Sequence, residues 1–216
     1  QARNDELPRH KVYLDEFLMG KAPVTNQQYR AFVQATGYHP PERWEKGNYY
    51  PGQEYHPVVN VCWEDALTFC RWASLVTGQQ IRLPSEAEWE KAARGKDQRL
   101  YPWGNQSPIA RLCNHGQSFS SEPKTTPVGL YSPQGDSPYG CVDMAGNVWE
   151  WVADWYSDSY YRQSPQTNPP GPVDGTVRVL RGGSWLGARF NSLRISFRRW
   201  GTPDSKENDC GFRCAI

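Results

Sequence analysis

The sequence predicts a loop-rich α+β fold with few, short helices and strands. Three observations carry this expectation. Nineteen Gly and eighteen Pro in 216 residues impose many turns. Helix signatures occur three times before residue 100 and not after it. Ten Trp and twelve Tyr compensate for a hydrophobic content of only 38% and a mean hydropathy of −0.79, because each ring buries a large area at low side-chain entropy. The chain is therefore expected to fold. With no internal repeat and no clean linker, residues 1–216 are expected to form one domain. The chain opens at Gln1 rather than Met, so the full-length protein is expected to carry further segments.

Residues 9–19 contain a period-2 stretch, Val12 and Leu14 between polar neighbours, and are expected to form an edge strand. Thr25 can cap a first helix in which Tyr29, Phe32 and Val33 share a face, and Gly37 closes it. Residues 38–60 read as an extended loop. A second helix is expected over 61–75. Trp63, Leu67, Cys70 and Ala73 form its buried stripe, and Glu64 and Asp65 lie near its positive end. Ser85 followed by Glu88 is a capping box after Pro84. It starts a third helix with Ala87, Trp89, Ala92 and Ala93 inside and Gly95 as its cap. Turn clusters around short aromatic segments follow. Strands are expected over 176–180 and 208–215.

A net charge of +1 gives no electrostatic case for nucleic acid or a membrane surface. No apolar run approaches the roughly 18–20 residues of a membrane span. The six cysteines, Cys62, Cys70, Cys113, Cys141, Cys210 and Cys214, form no CxxC pair, which argues against structural zinc. They are too sparse for a disulfide scaffold and are expected mostly as buried or free thiols. His10, His39, His56 and His115 show no HxH or HExxH spacing. Ser184 lacks a GxSxG elbow, so it is expected to cap a turn made by Gly182 and Gly183. Trp149, Trp151, Trp155 and Tyr156 are expected in the core. Asp143 and Glu150, seven residues apart around Gly146, can converge on a hard cation with backbone carbonyls between them.

Six ordered blocks, PVTNQQY, RLPSEAEWEKAARG, YPWGN, GCVDMAGNVWEWVADWY, RVLRGGSW and GFRC, together resemble the formylglycine-generating enzyme family along nearly the whole chain. The resemblance implies a variant of the C-type lectin fold. It also implies calcium held by the Asp143 and Glu150 side chains and the Gly146 and Val148 carbonyls. Asp143 stands where the enzymes carry Asn. A second calcium site would use Asn114 and His115, with later ligands near Ser120 and Glu122. In eukaryotic relatives a disulfide joins the positions of Cys70 and Cys214.

Catalytic members of the family carry two cysteines, two and seven residues after the aromatic of GGS(W/Y). Here those places hold Gly187 and Ser192. A thiol oxidase that binds copper through two thiolates cannot work with a hydrogen and a hydroxyl there. No copper is expected, and the chain is expected not to be an enzyme.

Within 186–210, mixed side chains interrupt a fixed-looking frame of Arg189, Leu193, Arg194, Ser196, Arg198, Trp200 and Pro203. The mixed set is Leu186, Gly187, Phe190, Asn191, Ile195, Phe197, Arg199, Gly201, Ser205, Asp209 and Cys210. Some family members are variable proteins of diversity-generating retroelements, diversified at template adenines in this same segment. All eleven residues are reachable from Asn-type codons, whereas Lys206, Glu207 and Trp200 are not. The expectation is a ligand-binding module for a protein or other macromolecule, without nucleic-acid or membrane contact. Leu186, Phe190, Asn191, Ile195, Phe197 and Arg199 are its principal contacts. The competing expectations are an oxidoreductase acting on sulfur or peptide substrates, with Cys210 and Cys214 as a thiol pair, and a static assembly domain of a larger signalling or surface protein.

Overall fold

The computed structural model describes residues 2–116, 124–186 and 190–216. Three helices come first: α1 (Asn26–Thr36), α2 (Trp63–Thr77) and α3 (Glu86–Arg94). Thr25 accepts from the Gln28 amide while the Gln28 side chain accepts from Thr25 N, and Ser85 and Glu88 do the same for α3. Gly37 ends α1 with a φ of 69°. The second helix starts two residues later than expected, because the Asp65 carboxylate caps the Cys62 amide at 3.0 Å. Leu67 and Ala87 are only partly buried, while Ala66 and Phe69 join the α2 stripe. None of the helices among the described residues is long and apolar enough to cross a membrane.

Four strands follow: β1 (Trp149–Trp155), β2 (Arg178–Arg181), β3 (Arg199–Gly201) and β4 (Cys210–Phe212). They form one sheet in the order β3-β2-β1-β4. β1 is antiparallel to β2, with Glu150 opposite Arg181, and parallel to β4, with Glu150 opposite Gly211. The sheet separates two cores. On one side α1 and α2 pack Tyr29, Phe32 and Phe69 against Trp151, Leu180 and Phe212. On the other, α3 packs Trp89, Ala92 and Ala93 against Val152, Val179 and Ile195. The chain is thus α+β and loop-rich, as its composition implies.

Four expectations are corrected. Residues 9–19 form no strand; their strand-like pairing is limited to isolated bridges, Tyr13 with Thr167 and Met19 with Ala215. Alternation without an adjoining strand gives an extended segment and no ladder. β1 and β3 were not foreseen. The terminal strand is shorter than 208–215, because β4 pairs with β1 only at 210–212. Trp149 and Trp151 lie in the core, whereas Trp155 is partly covered beneath the Arg178 guanidinium at 3.3 Å.

Cys214 faces Cys70, with the sulfurs 3.7 Å apart, and does not face Cys210, which is fully buried beside Asp209 and Arg199. A Cys210–Cys214 thiol pair is therefore not assembled. Both Cys70 and Cys214 are thiols here. Mild oxidation is expected to bridge them and add about 2–4 kcal/mol to the unfolding free energy. A mass loss of two hydrogens and a higher Tm, both reversed by reductant, check this.

Candidate recognition site at the C-terminal loop

The site begins where β2 ends. Gly182 and Gly183 take φ values of 99° and 76°, a region that admits glycine readily. A Cβ on Gly183 would also meet the Ser192 carbonyl at 2.9 Å. Ser184 then donates to Asp209 Oδ2 at 2.6 Å and accepts from the Leu186 amide at 3.2 Å. Its hydroxyl is committed to holding the turn.

Beyond the turn, Leu186 is 53% exposed and Phe190 46% exposed. Asn191 is also exposed. Phe190 opens a short 3₁₀ turn, Phe190–Leu193, and meets the His115 ring edge-on at 5.7 Å. Leu193 is fully buried and plugs the turn into the interior. Gly187 and Arg189 lie outside the described residues, as do Ser120 and Glu122.

Buried ion pairs fix both sides of the loop. Arg194 reaches the two Glu6 oxygens at 2.8 and 2.7 Å, and Ser196 adds a third bond to Glu6 at 2.8 Å. Burial pushes the Glu6 carboxyl up, but Arg194 and Ser196 outweigh it and hold it below its ordinary range. Arg198 forks onto Glu86 at 2.7 and 2.8 Å, and Arg181 joins Glu86 to Glu90. Two residues of the expected frame, Arg194 and Arg198, are thus structural cations, each opposite a carboxylate.

Several expected contact residues are not on the surface. Ile195 is 1% exposed and packs with Trp89, Val152 and Val179. Phe197 leans on Trp149 at 5.9 Å, under the Arg3 guanidinium. Gly201 is buried; a Cβ there would meet Trp151 at 2.8 Å. Asp209 is buried by its bond to Ser184, and Cys210 by β4. Their sequence neighbours gave no warning, because the covering atoms come from α3 and β1. Arg199 is partly exposed and tied to Glu207, and Ser205 is partly exposed in a local turn. Trp200, expected as frame, is 52% exposed.

The expected calcium ligands are also redistributed. Glu150 is fully buried, and its oxygens take Arg213 at 2.6 and 2.7 Å and the Trp89 indole N–H at 2.7 Å. Its charge is balanced by the resident Arg213 guanidinium, with which any cation shared with Asp143 would compete. The Gly146 carbonyl accepts from Val148 N at 2.9 Å, which turns it into the local loop. Asp143 accepts from Gly129 N at 2.7 Å, and burial pushes its carboxyl up to about 6. Asn114 is buried and spends its side-chain amide on the Lys124 carbonyl.

Sequence reasoning missed one feature of this site. Asn147 donates to the Asn114 carbonyl and accepts from Trp185 N. Each of the flanking residues, His115 and Trp185, buries a ring nitrogen without a partner among the described residues. Burial holds the His115 imidazole below its ordinary pKa, hence neutral at pH 7.

Comparison with known proteins follows the same lines. The chain is 38% identical to the formylglycine-generating enzyme of Thermomonospora curvata, over 97% of this chain and 85% of that protein. It is 36% identical to the formylglycine-generating enzyme of Streptomyces coelicolor, over 97% and 81% respectively. Among solved structures it resembles Treponema denticola variable protein 1, with a TM-score of 0.80 and 28% identity, covering 96% of this chain and 86% of that one. The expectation of a chain that is not an enzyme is corrected by these findings. Relatives this similar bear the names of enzymes. The description "sulfatase-modifying factor enzyme 1-like domain" matches residues 1–216 from end to end, and the chain belongs to that family.

Proposed function

We propose that the domain recognises a macromolecular ligand through Leu186, Phe190, Asn191 and Trp200, in the manner of the variable proteins of diversity-generating retroelements. The observation that carries this reading is the contrast within one loop. Exposed apolar side chains at 186 and 190 lie in sequence between Arg181 and Arg194, whose ion pairs with Glu86 and Glu6 are buried. Large exposed rings on a rigid support contribute to binding without a loop-ordering cost. The similarity to variable protein 1 supports the same reading.

The gene tests it directly. Downstream DNA is expected to hold a near-copy of the stretch encoding 178–216, differing mainly at adenines, beside a reverse transcriptase. Its absence sinks the diversified reading. A second reading, an oxidoreductase acting on a sulfur or peptide substrate, is favoured by the names of the relatives. Turnover of a cysteine-containing peptide would establish it.

The structure also separates surface from support. Phe190→Ala is expected to change the unfolding free energy by less than about 0.5 kcal/mol, whereas Phe197→Ala lowers it by about 1–3 kcal/mol. Urea denaturation of both variants checks the assignment.

A further inference from the structure

A groove of about 590 Å³ runs between α3 and the extended segment 6–14. None of its lining residues belongs to the Leu186–Phe190 surface. The N-terminal segment supplies an apolar wall, with Leu7, Val12 and Leu14. The floor is polar and deep, made by Glu86, Asp154, Tyr160 and Tyr161.

Two floor groups have unused hydrogen-bonding capacity. Asp154 is 4% exposed, and its Oδ2 accepts from the Glu86 amide at 2.7 Å. Its Oδ1 receives no hydrogen bond among the described residues, and no cation stands within ion-pair distance. Glu86, beside it, takes both available guanidiniums, Arg181 and Arg198, at 2.7–2.8 Å. The Tyr161 hydroxyl also lacks a partner among the described residues. Its ring is fixed between the Arg198 guanidinium at 4.3 Å and the His10 ring at 5.3 Å. A carboxylate on a residue only 4% exposed, with one oxygen that receives no donor, is costly unless something enters to supply one. At the rim, Lys91 and Lys96 have no carboxylate partner among the described residues, so a ligand bearing several positive charges is repelled there.

We propose that this groove binds a small organic monoamine, its ammonium donating to Asp154 Oδ1 and the Tyr161 hydroxyl and its hydrocarbon part lying on Leu7, Val12 and Leu14. An apolar wall with a few convergent polar groups is the usual form of a small-molecule site. The protonation of Asp154 supports this. Burial first, then the charge of Glu86, pushes its carboxyl up to about 7, with Arg198 and the Glu86 amide opposing. Glu88 adds to the rise, and Tyr160 and Tyr161 face the same space. An ammonium supplies the counter-charge that the protein withholds. Because the folded-state pKa lies above the unfolded one, the stability that Asp154 contributes is present below about 4 and is lost as pH rises toward about 7. Ligand binding is expected to strengthen over the upper part of that window.

Isothermal titration of the whole protein with phenethylamine at pH 8 tests the proposal. Saturable binding is expected, weaker at pH 6, with no binding of 3-phenylpropionate or spermidine. Asp154→Asn is expected to weaken binding roughly 10- to 100-fold, the scale of a lost charge-assisted hydrogen bond. Tyr161→Phe weakens it by a smaller factor and serves if Asp154→Asn fails to fold. A lysine-containing tripeptide, run in parallel, shows whether a peptide side chain is also accepted as the source of the ammonium. Failure of both amines to bind at millimolar concentration, equal binding of the carboxylate, or unchanged affinity in both variants would overturn it. None of these results bears on the C-terminal surface.

Discussion

Replacing Glu86 with glutamine is expected to lower the unfolding free energy by about 3–5 kcal/mol, the penalty for leaving buried charge uncompensated. Glu86 is 4% exposed, and Arg181 and Arg198 are fully buried. Its Oε1 takes Arg181 and Arg198, and its Oε2 takes Arg198 again. Without the carboxylate, Arg181 keeps Glu90, but Arg198 is left with the Asp5 and Ser157 carbonyls and the faces of Tyr156 and Tyr161. Carbonyls and rings do not neutralise a guanidinium out of water. The damage should spread to the loop through residues 194–198, because Arg198 anchors its far side. Chemical denaturation gives the energy, and amide exchange at Ile195 and Phe197 gives the spread. A loss under about 1 kcal/mol would mean that water reaches the pair.

The second large effect concerns Glu150 and Arg213, both fully buried and joined by two hydrogen bonds. Glu150→Gln is expected to cost about 3–5 kcal/mol by the same reasoning. The double variant Glu150→Leu/Arg213→Met should recover much of that, since no charge is then stranded. Recovery stays incomplete, because Arg213 also serves the Gly20, Lys21 and Val142 carbonyls and Glu150 serves the Trp89 indole. The loss in Glu150→Gln should be equal in EDTA and in millimolar calcium. A loss that appears only with calcium would return Glu150 to the role of a metal ligand.

These two clusters also mark the limit of what the residues disclose in order. The caps at Thr25 and Ser85 were legible, because a capping box is complete within four residues. Gly37 and the Gly182-Gly183 turn were legible for the same local reason. β1 was not, because it is buried along both faces at its start and shows no alternation of the kind that marks a half-exposed strand. β3 is three residues long and too short to leave a pattern. In the loop, Leu186 and Phe190 could be proposed as surface residues, yet Ile195 and Phe197 looked the same in the sequence. What distinguishes them is Trp89 and Trp149, brought in from distant parts of the chain. The partners of Glu86 and Glu6 lie 112 and 188 residues away. No spacing rule reaches that far. Asp154 is a similar case: its partner, the Glu86 amide, lies 68 residues away.

The turn at Asn4–Glu6 has a consequence for how this protein can change over generations. Glu6 binds Arg194 and Ser196, the Asp5 carbonyl takes Arg198, and the Asp5 carboxylate takes the Tyr156 hydroxyl. The foundation of the loop is therefore laid by residues outside the loop. Substitutions at 186, 190 and 191 touch none of these bonds, so nearly any side chain can be tried there without unfolding the chain. A mutation in the first six residues, far from any surface contact, would limit every variant alike. If the surface at 186, 190 and 191 is the recognition site proposed above, selection for new partners and selection for folding act on separate sets of positions.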